Sequence, residues 1–294
     1  MNHVHFISGL PRSGSTLLAA ILKQNPRFHA GMTSPLGLLF TKILNSLSTG
    51  SEFGPVVNDE QRRRLLKGLF SSYYADQDEK EVIIDTNRAW CGRMNIINDL
   101  WPDARIICCV RNPAWIMDSI ERLYRANPYE TTKLFNDDGE RDSVYSRTRA
   151  LARSDRMVGF ALRVAKEAYY GEFADKLLVL EYDRLVRQPE HCLNQIYRFI
   201  GEPAYSHDFE NIEYHAQSFD LNLGVPTLHQ VRSKVSAEVR ATILPPDLFQ
   251  EYATTAFWQD INGTKAALLT RRPKPQTRLQ TPPILNDNDE GNAK

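Results

Sequence analysis

The densest chemistry in the chain lies near its start, in FISGLPRSGSTLL, Phe6 to Leu18. An apolar run ends at Ser8, the turn Gly9-Leu10-Pro11-Arg12-Ser13-Gly14 follows, and the residues from Ser15 and Thr16 onward have helical spacing. A strand, turn and helix of this kind suit an oxyanion: glycines let the backbone come close, several N–H groups converge, and the helix N-terminus adds positive potential. The spacing fits the phosphate-binding frame G-x-x-x-x-G-K-[ST] at Gly9, Gly14 and Thr16, with Ser15 in the lysine position. Arg12, in mid-loop, offers a planar fork to a doubly oxygenated anion. Losing the lysine argues against cradling the β- and γ-phosphates of ATP.

A second cationic group follows the apolar run RIICCV. In VRNPAWIMDSI, Arg111 leaves a strand end and Ser119 lies two turns into the next helix, so both can face one dianion. The loop P-R-S-G-S-T together with this V-R-N…S element resembles the donor site of sulfotransferases, the family that uses 3′-phosphoadenosine 5′-phosphosulfate (PAPS). The loop is most similar to that of the protein-tyrosine sulfotransferases, and the whole reads as a bacterial type. The resemblance implies that residues 9–16 hold the 5′-phosphosulfate and that Arg111 and Ser119 hold the 3′-phosphate. Product release would then yield 3′,5′-adenosine bisphosphate, and no metal is expected. The segment Leu177–Pro203 resembles the family's segment that closes the donor site, with Tyr182, Asp183 and Leu185 in similar places. In LHQVRSKV, Arg232 and Lys234 stand where some members place a basic residue near the nucleotide.

The chain also departs from the family pattern. Protein-tyrosine sulfotransferases carry a glutamate base shortly after the first helix, where this chain has Met32 and Thr33. After the second strand, in Ile84-Asp85-Thr86-Asn87-Arg88, Thr86 occupies the position of a catalytic lysine and Arg88 supplies the lost cation. The cytosolic members' histidine base is absent from this region, and so is their C-terminal dimer motif. Asp85, at a strand end, becomes the candidate general base, with His229 as its main rival and His29 as a weaker one.

These residues need a scaffold, and the pattern supplies one. Short apolar runs at Val4–Ile7, Val82–Ile84, Arg105–Val110 and Leu177–Leu180 alternate with amphipathic stretches. The latter are Gly14–Lys23, Pro35–Leu47, Asp59–Tyr74 (capped by Asn58 or Asp59), a stretch ending near Trp101, Pro113–Arg125, Asp142–Tyr170 broken at Gly159, Pro189–Ile200 and Pro246–Phe257. Residues 127–141 and 201–235 read as irregular. The alternation predicts an α/β fold, a P-loop-like parallel sheet flanked by helices on both faces in a single domain of residues 1–270. The tail 271–294, rich in proline and polar residues, reads as disordered. The motif residues then fall just past strand carboxyl ends, on the edge where such sheets bind ligands.

Composition narrows the classes further. The 294 residues carry 36 Lys+Arg against 36 Asp+Glu, which argues against a general nucleic-acid or membrane-surface binder. No run approaches the length of a membrane-spanning helix, no secretory leader is evident, and the four cysteines form no C-x-x-C pair, so the expectation is a cytoplasmic protein with buried thiols. His3 and His5 lack partners for a metal site. The leading reading is transfer of a sulfuryl group from PAPS to an acceptor hydroxyl or amine. A P-loop-type ATP-dependent kinase is the alternative, on the strength of the apolar strand ending in Asp85, and a non-catalytic nucleotide-binding protein is the third. The acceptor, and whether the chain forms a homodimer, stay open.

Overall fold

The computed structural model describes residues 3–126, 129, 132–214, 231, 233–238 and 240–271. Its centre is one parallel sheet of six strands: β1 (His3–Gly9), β2 (Phe28–Ala30), β3 (Val82–Thr86), β4 (Ile106–Val110), β5 (Leu177–Glu181) and β6 (Ala267–Leu269). Their order is β2-β3-β1-β4-β5-β6, with every pairing parallel. The expected α/β sheet is therefore present, with two strands the apolar pattern did not show. Both are three-residue edge strands, FHA and ALL, too short to display a period of two.

Eleven α-helices among the described residues surround the sheet. They are α1 (Ser15–Leu22), α2 (Leu36–Leu47), α3 (Asp59–Tyr73), α4 (Met94–Leu100), α5 (Pro113–Ala126), α6 (Asp138–Arg141), α7 (Val144–Ala152), α8 (Met157–Tyr170), α9 (Tyr182–Arg187), α10 (Pro189–Ile200) and α11 (Pro246–Ala253). The pleat of β1 divides the core in two. Phe6 points to one face, where it meets Phe70, Trp90 and Trp101 beneath α2–α5, α7, α8 and α11. Ile7 points to the other, among Leu18 and Ile21 of α1, Leu185 of α9 and Leu193 of α10. Each such side chain fully buried stabilises the fold by about 1.5–3 kcal/mol.

Local chemistry sets the helix boundaries. Asn58 caps α3 in a reciprocal box with Gln61. The stretch 142–170 breaks earlier than Gly159, after Ala152. Gly159 lies inside α8, where a Cβ would come within 2.2 Å of the carbonyls of Ala152 and Arg153. The glycine permits the close joint between α7 and α8 and does not break a helix. The last predicted helix is also shorter, since α11 ends at Ala253. All four cysteines are free and buried. No helix among the described residues is long and apolar enough to cross a membrane. Arg271 closes the described part: its N–H donates to Glu181 and its guanidinium pairs with Asp183. Residues 272–294 lie outside the described residues.

Two histidines are built into the core side of the fold in neutral form. His5 is buried in β1 with Nδ1 accepting from the Arg105 N–H, and His207 packs against Tyr197; burial pushes both pKa values down to about 4. The unfolded chain binds these protons near its ordinary value of about 6.5, so protons favour the unfolded state between the two values. Stability is therefore full above pH ~6.5 and falls as pH drops toward 4. Denaturant melts across that range will show this slope, and His5→Gln will flatten it.

Candidate active site

The carboxyl edge of the sheet carries a cavity of about 530 Å³. Its floor is the turn after β1. Gly9 has φ +117 and lies so close to β4 that a Cβ would sit 2.1 Å from the Cys109 carbonyl. Gly14, at φ +91, has the Tyr182 ring where its Cβ would be, at 2.7 Å. Neither position accepts a side chain. The Ser13 hydroxyl is shared between the carbonyls of Leu10 and Cys109, the latter at 2.9 Å. Arg12 adopts a left-handed backbone (φ 56), a conformation that costs a non-glycine residue about 1–3 kcal/mol. Helix α1 starts with no capping side chain, so its first amides face the cavity edge without a protein acceptor of that kind. Gly9, Pro11, Arg12, Gly14, Ser15 and Thr16 all line the cavity, while Ser13 is buried beneath them.

The second cationic group meets the first directly. Arg12 Nε donates to Ser119 Oγ at 3.1 Å, although the residues are 107 positions apart. Arg111 stacks on the Tyr182 ring, 4.6 Å from its centroid. Its Nη1 lies 3.5 Å from the Arg12 carbonyl, and its Nε is buried with no hydrogen-bond partner among the described residues. Burial pushes the Arg111 pKa down, and nearby Arg240 pushes the same way against Tyr182, Asp183 and Asp118. A buried guanidinium N–H left open beside a cavity is suited to an external anion.

Arg240 is a cavity residue that sequence reasoning missed. It lines the cavity, and it stands there because of Asp118, the residue before Ser119. The Asp118 side chain is fully buried and accepts from Arg122, Arg240 (2.6 Å), Thr242 and the Ile243 N–H. Burial works against this carboxylate, but the four donors outweigh it and its pKa lies below the ordinary value. One acid in α5 thus ties the 240–243 segment to the side of the cavity that holds Arg111. An aspartate immediately before Ser119 was the only signal in the sequence, and it names no partner.

Other predicted residues are placed differently. Asp85 is 0% exposed and does not line the cavity. Its side chain points into the Phe6 face, where Tyr74 and Trp90 each donate to it at 2.5 Å. Burial raises its pKa above the ordinary carboxylate range, against the hydrogen bonds of Ser34, Tyr74 and Trp90. The general-base expectation for Asp85 is thereby corrected: the pleat turns it away from the reacting edge. Arg88, Thr86, Met32 and Thr33 line the cavity. Lys234 lines it too, but is exposed and paired with Glu210 at 2.5 Å. His229 and Arg232 lie outside the described residues. His29 bonds Gln77 and is not among the cavity residues. Glu238 is the one carboxylate, and no histidine appears, among the described residues lining the cavity. His3 pairs with Glu202, and among the described residues no three His, Cys, Asp or Glu side chains converge as a metal site would need.

The family model described as "Sulfotransferase family" matches residues 5–207. The chain belongs to the sulfotransferase family. It is similar to the nodulation protein NoeE of Sinorhizobium fredii (strain NBRC 101917 / NGR234), 26% identical over 220 residues, which cover 68% of this chain and 50% of that protein. The chain thus spans about half the length of the curated relative it matches. Among solved structures, the sulfotransferase domain of the Synechococcus PCC 7002 olefin synthase has a TM-score of 0.48 at 20% identity, over 86% of this chain and 94% of that one. The sulfotransferase domain of the curacin biosynthetic pathway has 0.47 at 15%, over 87% and 92%.

Two outcomes follow from these placements. Asp85→Asn will cost about 1–3 kcal/mol of stability, since its amide cannot accept both buried donors, while affinity for adenosine bisphosphate stays at the wild-type level. Calorimetric melting and a ligand titration separate the two readings. Arg240→Gln will weaken adenosine bisphosphate about tenfold with little change in melting, whereas Asp118→Asn will lose both, because it releases Arg240 and leaves the Ile243 N–H poorly paired. Unchanged affinity in both variants would place Arg240 outside the site.

Proposed function

We propose that this chain transfers a sulfuryl group from PAPS to an acceptor hydroxyl or amine. The observation that carries the reading is the hydrogen bond from Arg12 to Ser119, which joins two anion-binding groups into one cleft. A donor with a phosphosulfate at one end and a 3′-phosphate at the other matches that pair, and ATP, with no 3′-phosphate, does not. When bound, PAPS supplies an activated sulfuryl group and leaves as 3′,5′-adenosine bisphosphate.

The residues then divide the work. Charge grows on the departing 5′-phosphate oxygen during transfer, and donors already aimed there lower the barrier. The loop amides, the start of α1 and Arg12 fill that role. Arg111, with its open Nε, works together with Ser119 and Arg240 to hold the 3′-phosphate, and the Tyr182 ring keeps Arg111 in place. A hydroxyl acceptor needs a base, and Asp85 is not at the cavity. Glu238 is the described carboxylate that is. The kinase alternative loses its one supporting feature for the same reason, since the acid ending β3 is committed to Tyr74 and Trp90. A non-catalytic nucleotide binder predicts binding without turnover, so sulfate incorporation from PAPS into cell extract, read by mass spectrometry, decides between them.

The donor reading has two direct checks. Adenosine bisphosphate at a hundred times its Kd will raise stability by roughly 2.7 kcal/mol without added metal, and ATP with magnesium will do markedly less. The reverse ranking in a thermal-shift experiment would restore the kinase. Arg111→Ala will weaken donor binding by about 1.5–3 kcal/mol. Arg12→Ala will act on turnover, by about 2.7–4 kcal/mol in the transfer step. Steady-state kinetics together with direct binding measurements separate these effects, and equal binding losses with unchanged turnover would refute the division.

A further inference from the structure

The acceptor end of the cavity holds a cation that the donor does not account for. Strand β3 flanks β1 on the side away from β4, so its end lies across the loop from Arg111 and Ser119. Arg88 follows β3 and lines the cavity half-buried. Its guanidinium makes no hydrogen bond or ion pair with a described residue. Burial alone shifts its pKa, downward, with no carboxylate acting against it. Beside it Thr86 is 6% exposed, also lines the cavity, and its Oγ1 is buried without a partner among the described residues. A charged donor and a hydroxyl, both desolvated and both unmatched, are costly unless a ligand answers them.

The donor's charges are met elsewhere. Arg12 turns its Nε to Ser119, toward β4, and Arg111 and Arg240 lie on that same side. The same cavity also has apolar wall, from Met32, Leu134 and Met157. We propose that Arg88 and Thr86 form an oxyanion subsite for an anionic group carried by the acceptor itself, next to an apolar part of the same molecule. This rests on the sulfotransferase reading and names the class of its acceptor, an amphipathic anion bearing the hydroxyl or amine to be sulfated.

The test uses the full chain saturated with 3′,5′-adenosine bisphosphate, which fills the donor site but carries no sulfuryl group. Acetate and inorganic sulfate are the probes, titrated at constant ionic strength balanced with chloride and followed by thermal shift and calorimetry. Saturable binding of these anions is expected. It should fall about tenfold or more in Arg88→Gln and about threefold in Thr86→Val, with bisphosphate affinity retained. If Arg88→Gln does not fold, Arg88→Lys, expected to keep the binding, and Thr86→Val carry the test. Absence of saturable binding, or equal binding in the variants, overturns the proposal. So does a tenfold loss of PAPS affinity relative to bisphosphate in Arg88→Gln, because the subsite would then belong to the transferred sulfuryl group. Failure of the wild-type protein to bind either nucleotide would instead overturn the sulfotransferase reading, a result distinct from every anion outcome.

Discussion

The contact between the ends of β1 and β4 is the constraint on which the site depends. Gly9 lies against Cys109 with no space for a Cβ, and Ser13 reaches back to the Cys109 carbonyl at 2.9 Å. That approach sets the anion loop beside Arg111, the second residue past Cys109. It also brings Arg12 within one hydrogen bond of Ser119. If the strands were spread by a single methyl group, the two anion sites would no longer share a cleft. The left-handed conformation of Arg12 is part of the same geometry, with its strain offset by the packing around the turn.

Charge compensation completes the side of the cleft beside β4. Three arginines near one cleft repel one another, and an acid is needed that neutralises without occupying the ligand position. Asp118 meets this requirement, since it is fully buried behind Ser119 and holds Arg240 and Arg122 through its own oxygens. The cost of burying the carboxylate is met by four donors. Arg111 is left with an Nε that has no acceptor among the described residues.

The side of the cleft beside β3 lacks such a compensating acid among the described residues. Its polar groups, Arg88 and Thr86, are not matched within the described chain, while its walls include Met and Leu side chains. Both ends of the cleft thus keep a polar group with no partner among the described residues, Arg111 Nε beside β4 and Thr86 Oγ1 beside β3.

The sequence by itself determined the anion loop, the V-R…S element, the four long strands and most helices, because each is a local pattern of spacing and cap chemistry. Gly9, Gly14, Arg12, Arg111 and Ser119 were legible for that reason. The edge strands β2 and β6 were not, since three residues carry no period and pair only because a longer neighbour offers its backbone. Tertiary structure alone decided the fate of Asp85, which immediately precedes Thr86 but is turned by the pleat into the core, where Tyr74 and Trp90 claim it. It alone recruited Arg240 as well, across 122 positions, through a carboxylate whose partners no local pattern specifies. Side-chain direction at a strand end and the closure of distant segments depend on packing between elements, and that information is not carried by spacing along the chain.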